Sequence, residues 1–252
     1  MFNIFFSIAI SILVILALVG CMRNIAVIKS LYFISIDLSS ITKKVVFPNI
    51  YASLETVPSY IRIGLMGYCT PDGCVGTSDN FASFDIEKII IDAVFSLNTS
   101  SLSAIIESTV DLVLPSSFSS HVNTFNKIID AFSILMAVWL ALSLLTLLLK
   151  IAFFIFYRGF VWAIIYNFIR SLSCTIGLIC AILATVGLYY GKSQFNKNEA
   201  DDLDMSLSVG KAFIVFLWIA AALGFVDNFV SFITPNYWNR RVRKQPMHPI
   251  MV

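Results

Sequence analysis

Charge is what this sequence has least of. Asp, Glu, Lys and Arg make up 13% of its 252 residues, against about 25% in an ordinary soluble domain. A water-soluble core under a charged shell is thereby excluded, and much of the chain needs a solvent other than water. Histidine is almost missing, with two in the chain, and the five cysteines fall in no metal-ligand spacing. No metal or cofactor is expected, and an enzyme, which needs converging acid, base or nucleophile groups, is not. The net charge of +2 says little about partners, and no nucleic-acid partner is expected.

Long uncharged runs are what the chain does have. About 20 apolar residues cross the hydrocarbon core of a bilayer. Residues 1–22, 131–149, 163–189 and 212–233 meet that need, so the sequence predicts four transmembrane helices. The first two are uncharged, with Lys150 closing the second; Arg170 lies in the first third of the third and Asp227 in the last third of the fourth. Leu18-Val19-Gly20-Cys21 gives the first run a lipobox-like end, but no basic segment precedes Ile4, so a retained helix is expected rather than a cleaved signal. Ile151–Tyr157 reads as the second helix running on into the interface, with Tyr157, Arg158 and Trp162 at headgroup level.

Basic loops stay cytoplasmic. The short loop 150–162 and the tail 234–252 carry Lys or Arg and no acid, whereas loop 190–211 carries Glu199, Asp201, Asp202 and Asp204. Both termini are therefore expected in the cytoplasm, with the long loop 23–130 and loop 190–211 outside. Asn98-Thr99-Ser100 is a glycosylation sequon that falls on the outer side. His121 and His248 fall on opposite sides and cannot work together. Transporters place several polar groups near the midplane, and the second run is read as having none.

The long loop is patterned. Leu31–Ile36 and Tyr60–Leu65 are rich in aromatic and β-branched residues and read as strands. Pro71-Asp72-Gly73 then makes a turn, Pro setting φ and Gly accepting a positive φ, which brings Cys69 and Cys74 together. In an oxidising space they should form a disulfide, worth roughly 2 kcal/mol for so small a loop. Phe84–Phe95 and Ser101–Leu114 show helical periodicity, and Ser116-Ser117 with Ser119-Ser120 read as a polar hinge. The fold expected is an all-α membrane protein: a four-helix bundle with a small disulfide-bonded extracellular sheet and helices in loop one. Cys21, Cys174 and Cys180 are expected to be packing residues.

Two further expectations concern charge. Arg170 and Asp227 sit at similar depth on antiparallel spans, each on a stripe of small residues (Gly177 and Ala181; Gly224 and Ala220), so they are expected to pair and fasten span three to span four. Arg240, Arg241, Arg243 and Lys244 follow the interfacial Tyr237-Trp238, as a site for anionic inner-leaflet lipids at about 1 kcal/mol per basic residue.

A first span, a strand ending before Asp37, then Gly64-Leu65-Met66-Gly67-Tyr68-Cys69 with a second cysteine at Cys74 and three more spans together resemble the fungal Sur-seven/PalI family of claudin-like four-span proteins. The motif residues are Gly64, Leu65, Gly67, Tyr68 and Cys69. Claudins proper carry Trp where Met66 stands, and the long loop has no Trp at all. The resemblance implies a plasma-membrane organiser of static cortical domains (eisosomes), linked to wall synthesis and endocytosis, with the bilayer and other membrane proteins or further copies of itself as lateral partners. The alternative is a regulatory subunit of a calcium-influx, cell-fusion or ambient-pH signalling complex, as in PalI-like and pheromone-induced relatives.

Overall fold

Helix lengths set the frame. The computed structural model describes residues 2–37, 58–76, 116–155, 160–198 and 206–233. Helix α1 is Phe2–Leu18, followed by a short α2, Ala26–Ser30; α3 is Ser116–Ile155, α4 is Phe160–Asn198 and α5 is Lys211–Ile233. At 1.5 Å per residue, the 40 residues of α3 and 39 of α4 reach about 60 Å, twice the bilayer core. Within α3, α4 and α5 the segments Asn126–Ala152, Ile164–Ser193 and Lys211–Val230 are long and apolar enough to cross, whereas the apolar part of α1, Ile4–Leu18, is shorter. It is shorter because the chain turns away at Gly20–Cys21: Cys21 takes the left-handed conformation at φ 61°, and its N–H donates to the Ile28 carbonyl.

The four long helices pack in a cycle, α1 on α3, α3 on α4, α4 on α5 and α5 back on α1. Gly177 of α4 makes one of these contacts possible. A side chain there would meet the Trp139 ring of α3 at 2.6 Å, so the small residue is what lets the indole in.

A sheet closes one end of the bundle. Its strands are β1 (Ile34–Asp37), β2 (Tyr60–Ile63), β3 (Gly67–Cys69), β4 (Cys74–Gly76) and β5 (Ser206–Val209), in the order β4-β3-β2-β1-β5 and antiparallel throughout. Cross-strand partners share a face, so the register makes two apolar rows, Ile63–Ile34–Val209 and Ile61–Ile36–Leu207. All six are buried. The row between them, Arg62–Ser35–Ser208, lies on the other face, where the Arg62 guanidinium stacks over Tyr32 and Tyr60 at 5.1 and 4.6 Å. Phe213 of α5 touches Phe33 beside the sheet and Phe132 of α3, so sheet and bundle share one core.

Several expectations need correction. The fold is mostly helical rather than all-α. The loop between α4 and α5 is not only an acidic connection, because Ser206–Val209 forms the edge strand β5 on β1. The first strand starts at Ile34 rather than Leu31, and the second ends at Ile63, because Gly64 N–H bonds the Gly67 carbonyl at 2.7 Å and turns the chain. The serine hinge is helical, since α3 starts at Ser116. The hairpin turn needs no positive φ at Gly73: no glycine among the described residues has one. Thr70 closes it instead, its N–H and hydroxyl both donating to the Gly73 carbonyl. The expected helices at 84–95 and 101–114, Asn98, the acidic residues 199–204 and the tail with Arg240, Arg241, Arg243 and Lys244 lie outside the described residues.

Candidate functional site

The bundle is polar inside and apolar outside. Buried polar side chains include Ser7 and Ser11 on α1, Ser143, Thr146 and Lys150 on α3, Arg170 and Ser173 on α4, and Asp227 on α5. Outward stand Phe5, Leu148, Phe168, Val186, Phe225 and Phe229, each more than half exposed. In water so wide an apolar surface would aggregate; in lipid it is the expected exterior, while polar groups turn inward to find partners.

The buried charged residues, Lys150, Arg170 and Asp227, gather at the end of the bundle away from the sheet. This end holds the start of α1, the last turns of α3, the early turns of α4 and the last turns of α5. Lys150 Nζ donates to both carboxylate oxygens of Asp227, at 2.9 and 2.8 Å, and to the Ser7 hydroxyl. The side chains of Lys150 and Asp227 are 6% and 3% exposed. Three helices, α1, α3 and α5, thus meet on one ammonium. Further toward the middle, the Ser11 and Ser143 hydroxyls join α1 to α3 at 3.3 Å, so the second hydrophobic helix does carry buried polar groups, contrary to expectation. On the α4–α5 seam, Trp218 Nε1 donates to the Thr185 hydroxyl at 3.0 Å.

The expected Arg170–Asp227 pair is corrected by this geometry. Asp227 is taken by Lys150. Arg170 instead donates through one Nη to the Asn228 side-chain oxygen at 3.0 Å and its backbone carbonyl at 3.3 Å. Its other Nη reaches the Tyr166 hydroxyl at 3.4 Å, with the ring centroid 5.2 Å from the guanidinium. The physical reason lies in the stripes of small residues, which do not face each other. Gly177 faces Trp139 on α3, and Gly224 lies nearest Ile10 on α1. Arg170 still fastens α4 to α5, but through the residue next to Asp227. Lys150 escaped notice because the apolar run stops there; the helix does not, and continues to Ile155.

The cysteine motif builds the junction between sheet and bundle. Cys69 and Cys74 form a disulfide and are direct cross-strand partners in β3 and β4. Leu65 and Tyr68 are buried, and Cys69 is fully so. Gly64 lies against the end of α1: a Cβ there would sit 2.1 Å from the Gly20 carbonyl oxygen. The motif glycine is thus a backbone-on-backbone contact between the sheet and the first helix. Cys21 and Cys180 are buried free thiols and Cys174 is half-buried. Among the described residues no group of His, Cys, Asp and Glu is arranged to hold a metal.

An inside-out helix bundle capped by a small disulfide-bonded sheet defines an integral membrane protein. The sequence profile of the SUR7/PalI family matches residues 1–230, and the chain belongs to that family. Protein PUN1 of Saccharomyces cerevisiae is 24% identical over 261 aligned positions, covering 98% of this chain and 97% of PUN1. No solved structure matches.

Proposed function

We propose that this protein is a four-span organiser of plasma-membrane domains that works by lateral packing and not by catalysis. The observation that carries the reading is the division of its surface. The buried polar groups of the described bundle mostly serve contacts between helices, leaving an apolar flank to lipid or to neighbouring proteins and a sheet at one end. In this reading α1 crosses as the fourth span, with the long helices overhanging on the sheet side. The sheet, Asn98 and loop 190–211 face outward, and both termini are cytoplasmic. The tail residues Arg240, Arg241, Arg243 and Lys244 would hold anionic inner-leaflet lipids. Membership of the SUR7/PalI family and likeness to PUN1 over nearly its whole length support a membrane role of this kind; eisosome-like patches are the finer form of the proposal.

The test is a fluorescent tag on the C-terminus, combined with deletion of the chain. Static cortical patches, with ion flux unchanged on deletion, are the expected result. A uniform distribution, or lost calcium influx, would replace the organiser with a regulatory subunit of a channel or signalling complex.

A further inference from the structure

We infer that the bundle interior holds one halide-sized monovalent anion against Arg170. The inference is independent of the organiser role. Arg170 is 6% exposed, and its guanidinium is a cation. Its Nε is the one buried side-chain nitrogen or oxygen among the described residues that lacks a hydrogen-bond partner. Native interiors rarely leave such a donor unmet without a reason.

Charge gives the reason. The buried cluster contains Lys150, Arg170 and Asp227, and Lys150 already holds both oxygens of the carboxylate. No other acid among the described residues stands near. The four long helices contain two carboxylates, Asp227 and Asp130, and Asp130 lies about 30 Å along α3 from Lys150, toward the sheet end. The segments that continue from the charged end, residues 156–159 and 234–252, contain no Asp or Glu and add Arg158, Arg240, Arg241, Arg243 and Lys244. Among the described residues Arg170 therefore has no carboxylate of its own. A lone buried cation costs several kcal/mol in low-dielectric surroundings, which favours a counter-charge from outside the chain.

A place for it exists beside the guanidinium. Arg170 lines a small, partly open cavity of about 20 Å³ with Ser7, Ser143, Thr146, Ser173 and Asp227 among its walls. The volume takes one small particle and is too small for a lipid phosphodiester. Ser7 accepts from Lys150, which leaves its own O–H to donate, and the buried Ser173 hydroxyl offers another. Arg170, Ser7 and Ser173 all line this cavity, and three such donors suit a spherical anion. A water could satisfy the Nε but would leave the charge unbalanced.

The experiment uses the full chain in nanodiscs. Thermal unfolding is followed as sodium gluconate is replaced by sodium chloride or bromide at constant ionic strength, in neutral and in anionic lipid, with chloride NMR line-broadening as the direct readout. The expected result is a saturable rise in unfolding temperature with halide, in both lipids. Ser173→Ala removes one donor to the anion and should raise the midpoint halide concentration about tenfold; Arg170→Gln, where it folds, should abolish the response. Equal stability in gluconate and halide without line-broadening would mean a water alone occupies the cavity. A response that follows anionic lipid rather than halide, or an unchanged midpoint in Ser173→Ala, would equally overturn the site.

Discussion

Removing either partner of the Lys150–Asp227 pair should destabilise the bundle far more than removing both. At 2.8 Å and an effective dielectric of about 20, the attraction is about 6 kcal/mol. Desolvation takes several kcal/mol per ion and offsets most of it, so the net contribution of the intact pair is small. Leaving one member alone is different, because a nearly unexposed charge keeps its desolvation cost and loses its partner. Lys150→Met and Asp227→Leu should each lose about 3–5 kcal/mol. In a chain of this size that is a fall of about 10 °C in Tm. The double variant fills the same buried space with two apolar side chains and leaves no charge behind, so its stability should return to within about 1 kcal/mol of the parent. The assay is thermal unfolding of the purified full chain in one detergent, read by tryptophan fluorescence, with the amount of folded protein at the membrane as a second readout. The Arg170→Asp, Asp227→Arg exchange provides the control: Arg170 does not partner Asp227, so the exchange should remain as unstable as its worse single variant. Single variants as stable as the parent, a Lys150/Asp227 double no better than its singles, or rescue by the Arg170 exchange would each refute the reasoning.

Two further outcomes test the junction between sheet and bundle. Gly64→Ala puts a Cβ 2.1 Å from the Gly20 carbonyl oxygen, where both neighbours are backbone and cannot swing away; a loss of about 3 kcal/mol is expected, visible as increased protease sensitivity of the sheet while the helices persist. Cys69 and Cys74 should appear as one bridged peptide in non-reducing mass spectrometry, and Cys69→Ser with Cys74→Ser should lower stability by about 2 kcal/mol, whereas alkylation of both thiols in unreduced protein would contradict the bond.

Much of this structure is legible in the sequence because membrane helices announce themselves by what they lack. The runs that became α3, α4 and α5 stand out through the absence of charge, and Cys69 and Cys74 through the turn between them. What is hidden is hidden for definite reasons. Ser206-Leu207-Ser208-Val209 does alternate polar and apolar, the period of a half-buried strand, but four residues beside an acidic stretch make a faint signal, and the partner that gives it meaning, β1, is far away in the chain. The ionic partner of Asp227 is harder still. Depth along a helix can be counted from the sequence, and by that measure Arg170 and Asp227 match. Rotation about the helix axis decides the contact, and it follows from packing details such as the Trp139 ring entering over Gly177. Lys150 also reads as a boundary residue, because an uncharged run ends there while the helix does not.

The two ends of the bundle are held by different physics. At the sheet end the contacts are close and dry: Gly20 against Gly64, Phe213 between Phe33 and Phe132, and two rows of buried aliphatic side chains. On the proposed four-span reading the sheet lies beyond the lipid, where water restores the hydrophobic driving force and such packing suffices. On the same reading the helices toward the other end are surrounded by hydrocarbon as apolar as their own side chains, so apolar burial favours no particular neighbour. There the hold is directional. Ser11 on Ser143, Lys150 on Asp227 and Ser7, and Arg170 on Asn228 each have one geometry, and together they link α1 to α3, α3 to α5 and α4 to α5. A single ionic cluster can specify the helix order because a wrong neighbour would leave a charge in lipid. The excess positive charge of that cluster is then the cost of specifying order with three ionisable groups of which one is a carboxylate, and it is the feature from which the anion site at Arg170 follows.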